Sequence, residues 1–325
     1  MIEKCSGASR REFLTLGGSA AAAALLAGCQ TAFSPAFDEN LTVFLSDIHL
    51  CGRDDFTRWL YTRTELKRRV AEILAMRPLP RHVVTFGDLS FGAGESCDYR
   101  LAKTILAPLE AAGIRVIHGM GNHDCRNHFR EVFPEAARDT SVAGRFVHEV
   151  DLGTCDLVLL DSLEGDSPDT NGKVGGELSK AVQEYVADTF PKRTRPFLAG
   201  AHHSVYELKV GARGILTTLK ESPFCIGWVH GHDHNWVKQP IVSWGESNQD
   251  TLRMLTLPSA GLWGDIGLVS FRASDGSATA TLHQTDYWFN DALHSGERKP
   301  EVWQDIVNEN RGQFCRFSYE RSRRA

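Results

Sequence analysis

Three apolar runs, each delivering a polar turn, limit this chain more than any other feature of its sequence. Leu41-Thr42-Val43-Phe44-Leu45-Ser46 runs into Asp47-Ile48-His49-Leu50. His82-Val83-Val84-Thr85-Phe86 runs into Gly87-Asp88-Leu89-Ser90, and Ile114-Arg115-Val116-Ile117-His118 leads to Gly121-Asn122-His123-Asp124. Between them, apolar residues recur at helical spacing from Phe56 to Met76 (Leu60, Leu66, Val70, Ile73, Leu74), ahead of Pro78 and Pro80. A second helix is expected from about Tyr99 to Ala112. Strand, turn and helix in repetition are the pattern of βαβ units, whose functional groups gather at the carboxyl ends of the strands.

The second half continues the pattern less regularly. Asp156–Leu160 reads as a buried strand ending at Asp161-Ser162. A Gly- and Asp-rich loop to Gly176 precedes a helix from Leu178 to Phe190, and Pro196–Gly200 is a strand ending in His202-His203. A helix near Thr217 leads to the run Phe224–Val229, followed by His230-Gly231-His232-Asp233-His234. A strand repeats its side-chain direction every two residues, so alternate histidines at its end are able to reach one point. Imidazole is the commonest metal ligand among side chains, and Gly231 lets the backbone come close to what sits there. Runs at 236–242, 251–257, 267–273 and 278–283, with Gly276 turning between the last two, read as a closing antiparallel section. The charged tail from about Arg298 is left open by the sequence.

Composition bounds the rest. A chain of 325 residues, 42% hydrophobic and 24% charged, has ample material for a large core. A net charge of -5 lacks the basic face of a general nucleic-acid binder. The N-terminus reads as an address. Ser9-Arg10-Arg11-Glu12-Phe13-Leu14 followed by an Ala- and Gly-rich apolar stretch resembles a twin-arginine export signal. Leu26-Ala27-Gly28-Cys29 resembles a bacterial lipobox, which implies lipidation of Cys29 and a membrane tether that does not span the bilayer. Residues 1–28 are therefore expected to be a signal peptide, 29–40 a tether, 41–290 the folded domain and 291–325 a C-terminal extension. The expected location is the bacterial cell envelope, facing the periplasm or the exterior. The twin-arginine route carries proteins already folded, so Cys51, Cys97, Cys125, Cys155, Cys225 and Cys315 are expected to be mostly buried thiols.

Taken together, Asp47-x-His49, Gly87-Asp88, Gly121-Asn122-His123-Asp124, His202 and Gly231-His232-Asp233-His234 resemble the calcineurin-like metallophosphoesterase family over roughly residues 41 to 290. The resemblance implies a four-layer α/β/β/α sandwich with a dinuclear metal site. It assigns Asp47, His49 and His234 to one metal and Asn122, His202 and His232 to the other, with Asp88 bridging. Imidazole suits Zn, Fe and Mn, while carboxylate and amide oxygens suit harder ions. Two metals about 3.5–4 Å apart hold a hydroxide between them and clamp the attacking and leaving oxygens of a phosphoryl group. Two such ions against Asp47, Asp88 and a hydroxide leave the site cationic within an acidic chain. His123 matches the family residue that hydrogen-bonds the phosphate and protonates the leaving group. Asp124 is expected to orient its neighbours, and His203 and His230 to support the site rather than join it.

Departures from the family narrow the branch. Phe91 stands where purple acid phosphatases carry a tyrosine, so a purple iron centre is not expected. Ser204 and Val205 replace the prolines of the His-His-Pro-Pro run of cyclic-nucleotide and glycerophosphodiester phosphodiesterases, although their Asp-Ser loop and Gly-x-Leu recur as Asp161-Ser162 and Gly176-Glu177-Leu178. The expected function is hydrolysis of a small phosphodiester by in-line attack of a metal-bound hydroxide. A phosphomonoesterase of the same fold, or a binding lipoprotein that keeps its metals without turnover, are the alternatives. Cys51, Cys97 and Cys125 each follow a metal motif and are expected either at its rim or as small buried hydrophobes.

Overall fold

In a computed structural model, which describes residues 36–54, 56–57, 60–165, 174–241, 252–288 and 300–320, the strands form two six-stranded sheets and a two-stranded ribbon. The expected export signal and lipobox, and most of the Gly- and Asp-rich loop, lie outside the described residues. In chain order the elements are β1 (Phe37–Leu45), β2 (Phe56–Thr57), β3 (Leu60–Tyr61), α1 (Thr62–Ala75), β4 (Leu79–Thr85), α2 (Ser96–Ala111), β5 (Arg115–His118), α3 (Arg126–Val132) and α4 (Pro134–Arg138). There follow β6 (His148–Asp151), β7 (Asp156–Leu159), α5 (Lys180–Thr189), β8 (Phe197–Gly200), α6 (Ala212–Glu221) and β9 (Cys225–His230). The chain closes with β10 (Val237–Ile241), β11 (Leu252–Thr256), β12 (Gly264–Ser274), β13 (Ser277–Trp288), α7 (Pro300–Asn310) and β14 (Phe314–Ser318).

The first sheet has the order β14-β13-β12-β1-β4-β5 and the second β10-β11-β9-β8-β7-β6. Within each, the strands that carry the chemistry run parallel: β1 with β4, β4 with β5, β7 with β8 and β8 with β9. Parallel strands buried on both faces read as unbroken apolar runs, and their alternation divides the core into three. On β1, Val43 and Leu45 face Leu66, Val70 and Ile73 of α1, while Phe44 faces the opposite sheet. On β7, Leu157 and Leu159 meet Phe44, Val84 and Phe86 across the centre, and Val158 turns outward to Val182 and Val186 of α5 and Ile215 of α6. The result is helix, sheet, sheet, helix, the expected four layers.

Three boundaries differ from the sequence reading. The first helix starts at Thr62 and not at Phe56, because the aromatic- and Thr-rich stretch before it pairs as the β2–β3 ribbon instead of coiling. The first strand starts at Phe37, since Phe37 and Asp38 already pair with Leu79 and Pro80. Beyond Arg298, β14 pairs antiparallel with β13 and buries Cys315 and Phe317 in the central core. Among the described residues no helix is long and apolar enough to cross a membrane.

Burial inside the first sheet has a pH consequence. His118 is buried beside Thr85, and burial, with His148 nearby, drives its imidazole down to about 3. In the unfolded chain a histidine titrates near about 6.5. Below that pH the unfolded state takes up a proton that the folded state refuses, so stability falls as pH drops from about 6.5 toward 3. At pH 5 this one residue should cost about 2 kcal/mol. Urea midpoints of wild type and His118→Gln at pH 7.5 and 5 check it, and an equal acid loss in both proteins would remove the assignment.

Candidate metal centre

The carboxyl ends of β1, β4, β5, β8 and β9 bring their turns to one place at the seam between the sheets. The backbone there is strained. Among the described residues, the non-glycine positions with positive φ are Asp47, His49, Asp88, His232 and His234, at 51°, 50°, 52°, 71° and 57°. Such conformations persist only where the surroundings over-determine them, and they concentrate at functional sites. The turns also need room. A Cβ on Gly121 would lie 2.2 Å from Asp88 Oδ1, and one on Gly231 would lie 1.9 Å from Ser46 Oγ.

Two groups of donors result. In the first, His234 Nε2 lies 3.2 Å from both His49 Nε2 and Asp47 Oδ1. In the second, His202 Nε2 lies 3.1 Å from Asn122 Oδ1 and 3.2 Å from His232 Nδ1. Asp88 Oδ2 stands between them, 3.6 Å from His49 Nε2 and 3.3 Å from His202 Nε2. Ligand bonds of about 2.0–2.2 Å put neighbouring donors about 3.0–3.6 Å apart, so these spacings fit one cation in each group. Asp47, His49 and His234 meet as a potential metal-binding set, as do Asp47, Asp88 and His202.

Hydrogen bonds aim the imidazoles. His202 Nδ1 donates to the Phe86 carbonyl at 2.8 Å and His234 Nδ1 to the Trp263 carbonyl at 3.2 Å, leaving each Nε2 lone pair for a cation. The Trp263 indole stacks on His234, with centroids 4.7 Å apart. Asp47 accepts the His232 amide at 3.0 Å, and Asp88 accepts the His123 amide at 2.8 Å. Asp124 accepts the amides of Gly121 and Ser90 and the Tyr99 hydroxyl, tying the β4 turn to the β5 turn.

The electrostatics favour anionic carboxylates, with a neutral imidazole at His49 and a protonated one at His202. Burial alone would raise Asp47, but His234 and His202 hold it well below the usual carboxylate range. Burial likewise opposes Asp88, and His202, His49 and His123 outweigh it. Burial takes His49 down to about 3, whereas Asp88 and Asp47 overcome burial at His202 and raise it to about 10. Asp124 is pushed up to about 6 by burial and by the charge of Asp88.

The structure thus gathers all seven sequence-chosen donors and sets His123 at their edge, its ring 5.0 Å from that of His49. It also shows what the two histidines expected to support the site touch. His203 Nδ1 bonds Ser162 Oγ at 2.8 Å, and the His203 ring still offers a nitrogen within 4.8 Å of the His202 and His232 donor atoms. His230 bonds the Gly231 carbonyl and Thr256, so it faces away from them. Strand alternation does not aim His232 and His234: β9 ends at His230, and the left-handed turn beyond it does the work. All six described cysteines are thiols, with Cys125 buried and Cys51 and Cys97 half-buried. Arg126, Glu207 and Trp263 escaped the sequence reading, because nothing local marks a residue whose partner lies tens of positions away.

No family model matches the sequence. A probable cyclic nucleotide phosphodiesterase from Rhodopseudomonas palustris is 32% identical over 165 residues, which cover 51% of this chain and 57% of that protein. The chain thus spans little more than half the length of that relative. Among solved structures, a dimetal phosphatase from Danio rerio superposes with a TM-score of 0.58 at 15% identity, covering 76% of this chain and 96% of that one. A purple acid phosphatase from yellow lupin (Lupinus luteus) gives 0.54 at 11% identity, covering 87% and 55%. The two packed sheets flanked by helices are therefore a metallophosphoesterase-type fold.

Proposed function

We propose that this protein is a metal-dependent phosphoesterase acting on small phosphodiesters. The observation that carries the reading is the convergence of seven donors, from turns spread between residues 47 and 234, into two groups that share Asp88. Asp47, His49 and His234 would hold one cation and Asn122, His202 and His232 the other, with Asp88 between. Two cations so held supply Lewis-acid charge for a phosphoryl group and make a water acidic enough to attack it. The nitrogen-rich donor set suits Mn, Fe or Zn.

The chain's own residues do the rest. His123 Nδ1 donates to the Gly92 carbonyl at 3.0 Å, which turns Nε2 outward and keeps it available to hold a proton for the leaving oxygen. His123→Ala should lower kcat by about 10²–10⁴-fold while leaving two Mn²⁺ bound per chain. Unchanged kcat would remove the general-acid role.

Diesters are favoured over monoesters by the likeness to a probable cyclic nucleotide phosphodiesterase and by the Asp161-Ser162 loop, which seats Ser162 against His203. The export signal at Arg10-Arg11 and the lipobox ending at Cys29 support a lipid-anchored enzyme of the cell envelope. Nitrophenyl diesters and monoesters compared on protein loaded with Mn, Fe or Zn test the reading. Faster diester hydrolysis is expected. A monoester preference would move the substrate class, and no turnover with any metal would leave a metal-retaining binding protein.

A further inference from the structure

The segment after the His-His pair departs from the expected prolines, and the structure shows what it carries instead. His202 and His203 follow the end of β8, and the chain turns back at once through Ser204, Val205 and Tyr206 to Glu207. The turn is closed twice between the same two residues. Glu207 N donates to the Ser204 carbonyl at 3.1 Å, and Ser204 N donates to Glu207 Oε2 at 3.0 Å. One carboxylate oxygen is thus committed to the turn that presents His202. The other, Oε1, lies 3.6 Å from His232 Nε2, on the separate turn after β9.

His232 differs from the other candidate imidazoles in the nitrogen it presents. Its Nδ1 points to His202 Nε2 at 3.2 Å, whereas His49, His202 and His234 meet their groups through Nε2. A neutral imidazole that gives Nδ1 to a cation must carry its proton on Nε2, and that proton needs an acceptor. The ring is already fixed on one side, with the His203 ring 4.8 Å from it. Glu207 is the carboxylate facing the remaining nitrogen. A separation of 3.6 Å exceeds a hydrogen bond, so the bond requires a small rotation of one of the two side chains.

We propose that Glu207 is the positioning residue of the second metal group. It accepts the Nε2–H of His232, so selects the tautomer whose Nδ1 binds metal, and it holds the His202 and His232 turns in register. The inference rests on the two-cation reading above. It also gives the replacement of the two prolines by Ser204 and Val205 a purpose: rigidity that prolines would supply by ring closure comes here from the Glu207 carboxylate spanning two turns.

Mn²⁺ alone is the probe, titrated into wild type, Glu207→Gln and Glu207→Leu, with free Mn²⁺ read from its EPR signal. Wild type should bind two ions. Glu207→Leu should weaken one of them by about 10–100-fold and leave the other unchanged. Glu207→Gln keeps an acceptor oxygen and should stay within about threefold of wild type. Equal binding by Glu207→Leu and wild type, or a Gln variant as weak as the Leu variant, would overturn the role. Three ions in wild type falling to two in Glu207→Leu would also overturn it, by making Glu207 a ligand with His230 and Asp233, whose donor atoms lie within 4.8 Å of its own. Fewer than two ions in wild type would instead bring down the two-cation reading, and this inference with it.

Discussion

Asp88→Asn should reduce turnover at least about a thousandfold and cost the protein one of the two cations proposed for it. The side chain is buried between the two donor groups, within 3.6 Å of His49 Nε2 and 3.3 Å of His202 Nε2. The substitution keeps size and shape. Asparagine tolerates the left-handed backbone that residue 88 adopts, and its amide oxygen still accepts the His123 amide, so the fold should survive. What it removes is the anionic charge that would offset the two proposed cations at close range. Mn²⁺ titration and diester hydrolysis on the same preparation check both effects. Full activity would overturn the shared role of Asp88, and loss of activity with both cations retained would confine that role to the reaction.

Arg126→Met should destabilise the protein by about 3–5 kcal/mol without touching a metal donor. Arg126 is 1% exposed and makes a two-pronged ion pair with Asp161, Nε to Oδ2 at 2.8 Å and Nη2 to Oδ1 at 2.9 Å. The same guanidinium donates to the carbonyls of Leu163 and Gly165. Asp161 in turn accepts the amides of Phe146 and Leu163. Burial would raise that carboxyl, but Arg126 and these donors hold it below the usual carboxylate range. Its contribution is therefore present above about pH 4 and is lost as pH falls through the depressed folded value. Truncating the arginine strands a buried carboxylate and two carbonyls at once. Urea unfolding at pH 7.5 measures the cost, and a loss under about 1 kcal/mol would show that the pair is dispensable. The double variant Arg126→Met, Asp161→Leu should recover part of the loss, because no unpaired charge then remains.

The pair also shows where a sequence stops being informative. Asp161-Ser162 stands out as a strand end, yet nothing near Arg126 says that it closes on a carboxylate 35 positions later. Ser162 then touches His203, so the loop that Arg126 secures braces the pair of histidines beside the second donor group. Glu207 was equally unmarked, since its turn and the His232 turn are brought together only by the β8–β9 pairing.

The sequence by itself determined the strand-and-turn framework and the donor inventory. Apolar runs mark buried parallel strands, and Asp, Asn and His at their ends mark chemistry, because side-chain period and ligand type are local properties. The glycine at 231 was legible for the same reason. Residue type alone does not separate neighbouring histidines, and tertiary structure decided what each one touches. His202 and His203 are adjacent and chemically identical, and His230 shares its spacing with His232 and His234. Only the packed turns, with Phe86 and Trp263 carbonyls aiming two rings and a left-handed backbone at five donors, separate ligand candidates from supports. That choice depends on contacts between segments up to 187 residues apart, from Asp47 to His234, which no local pattern encodes.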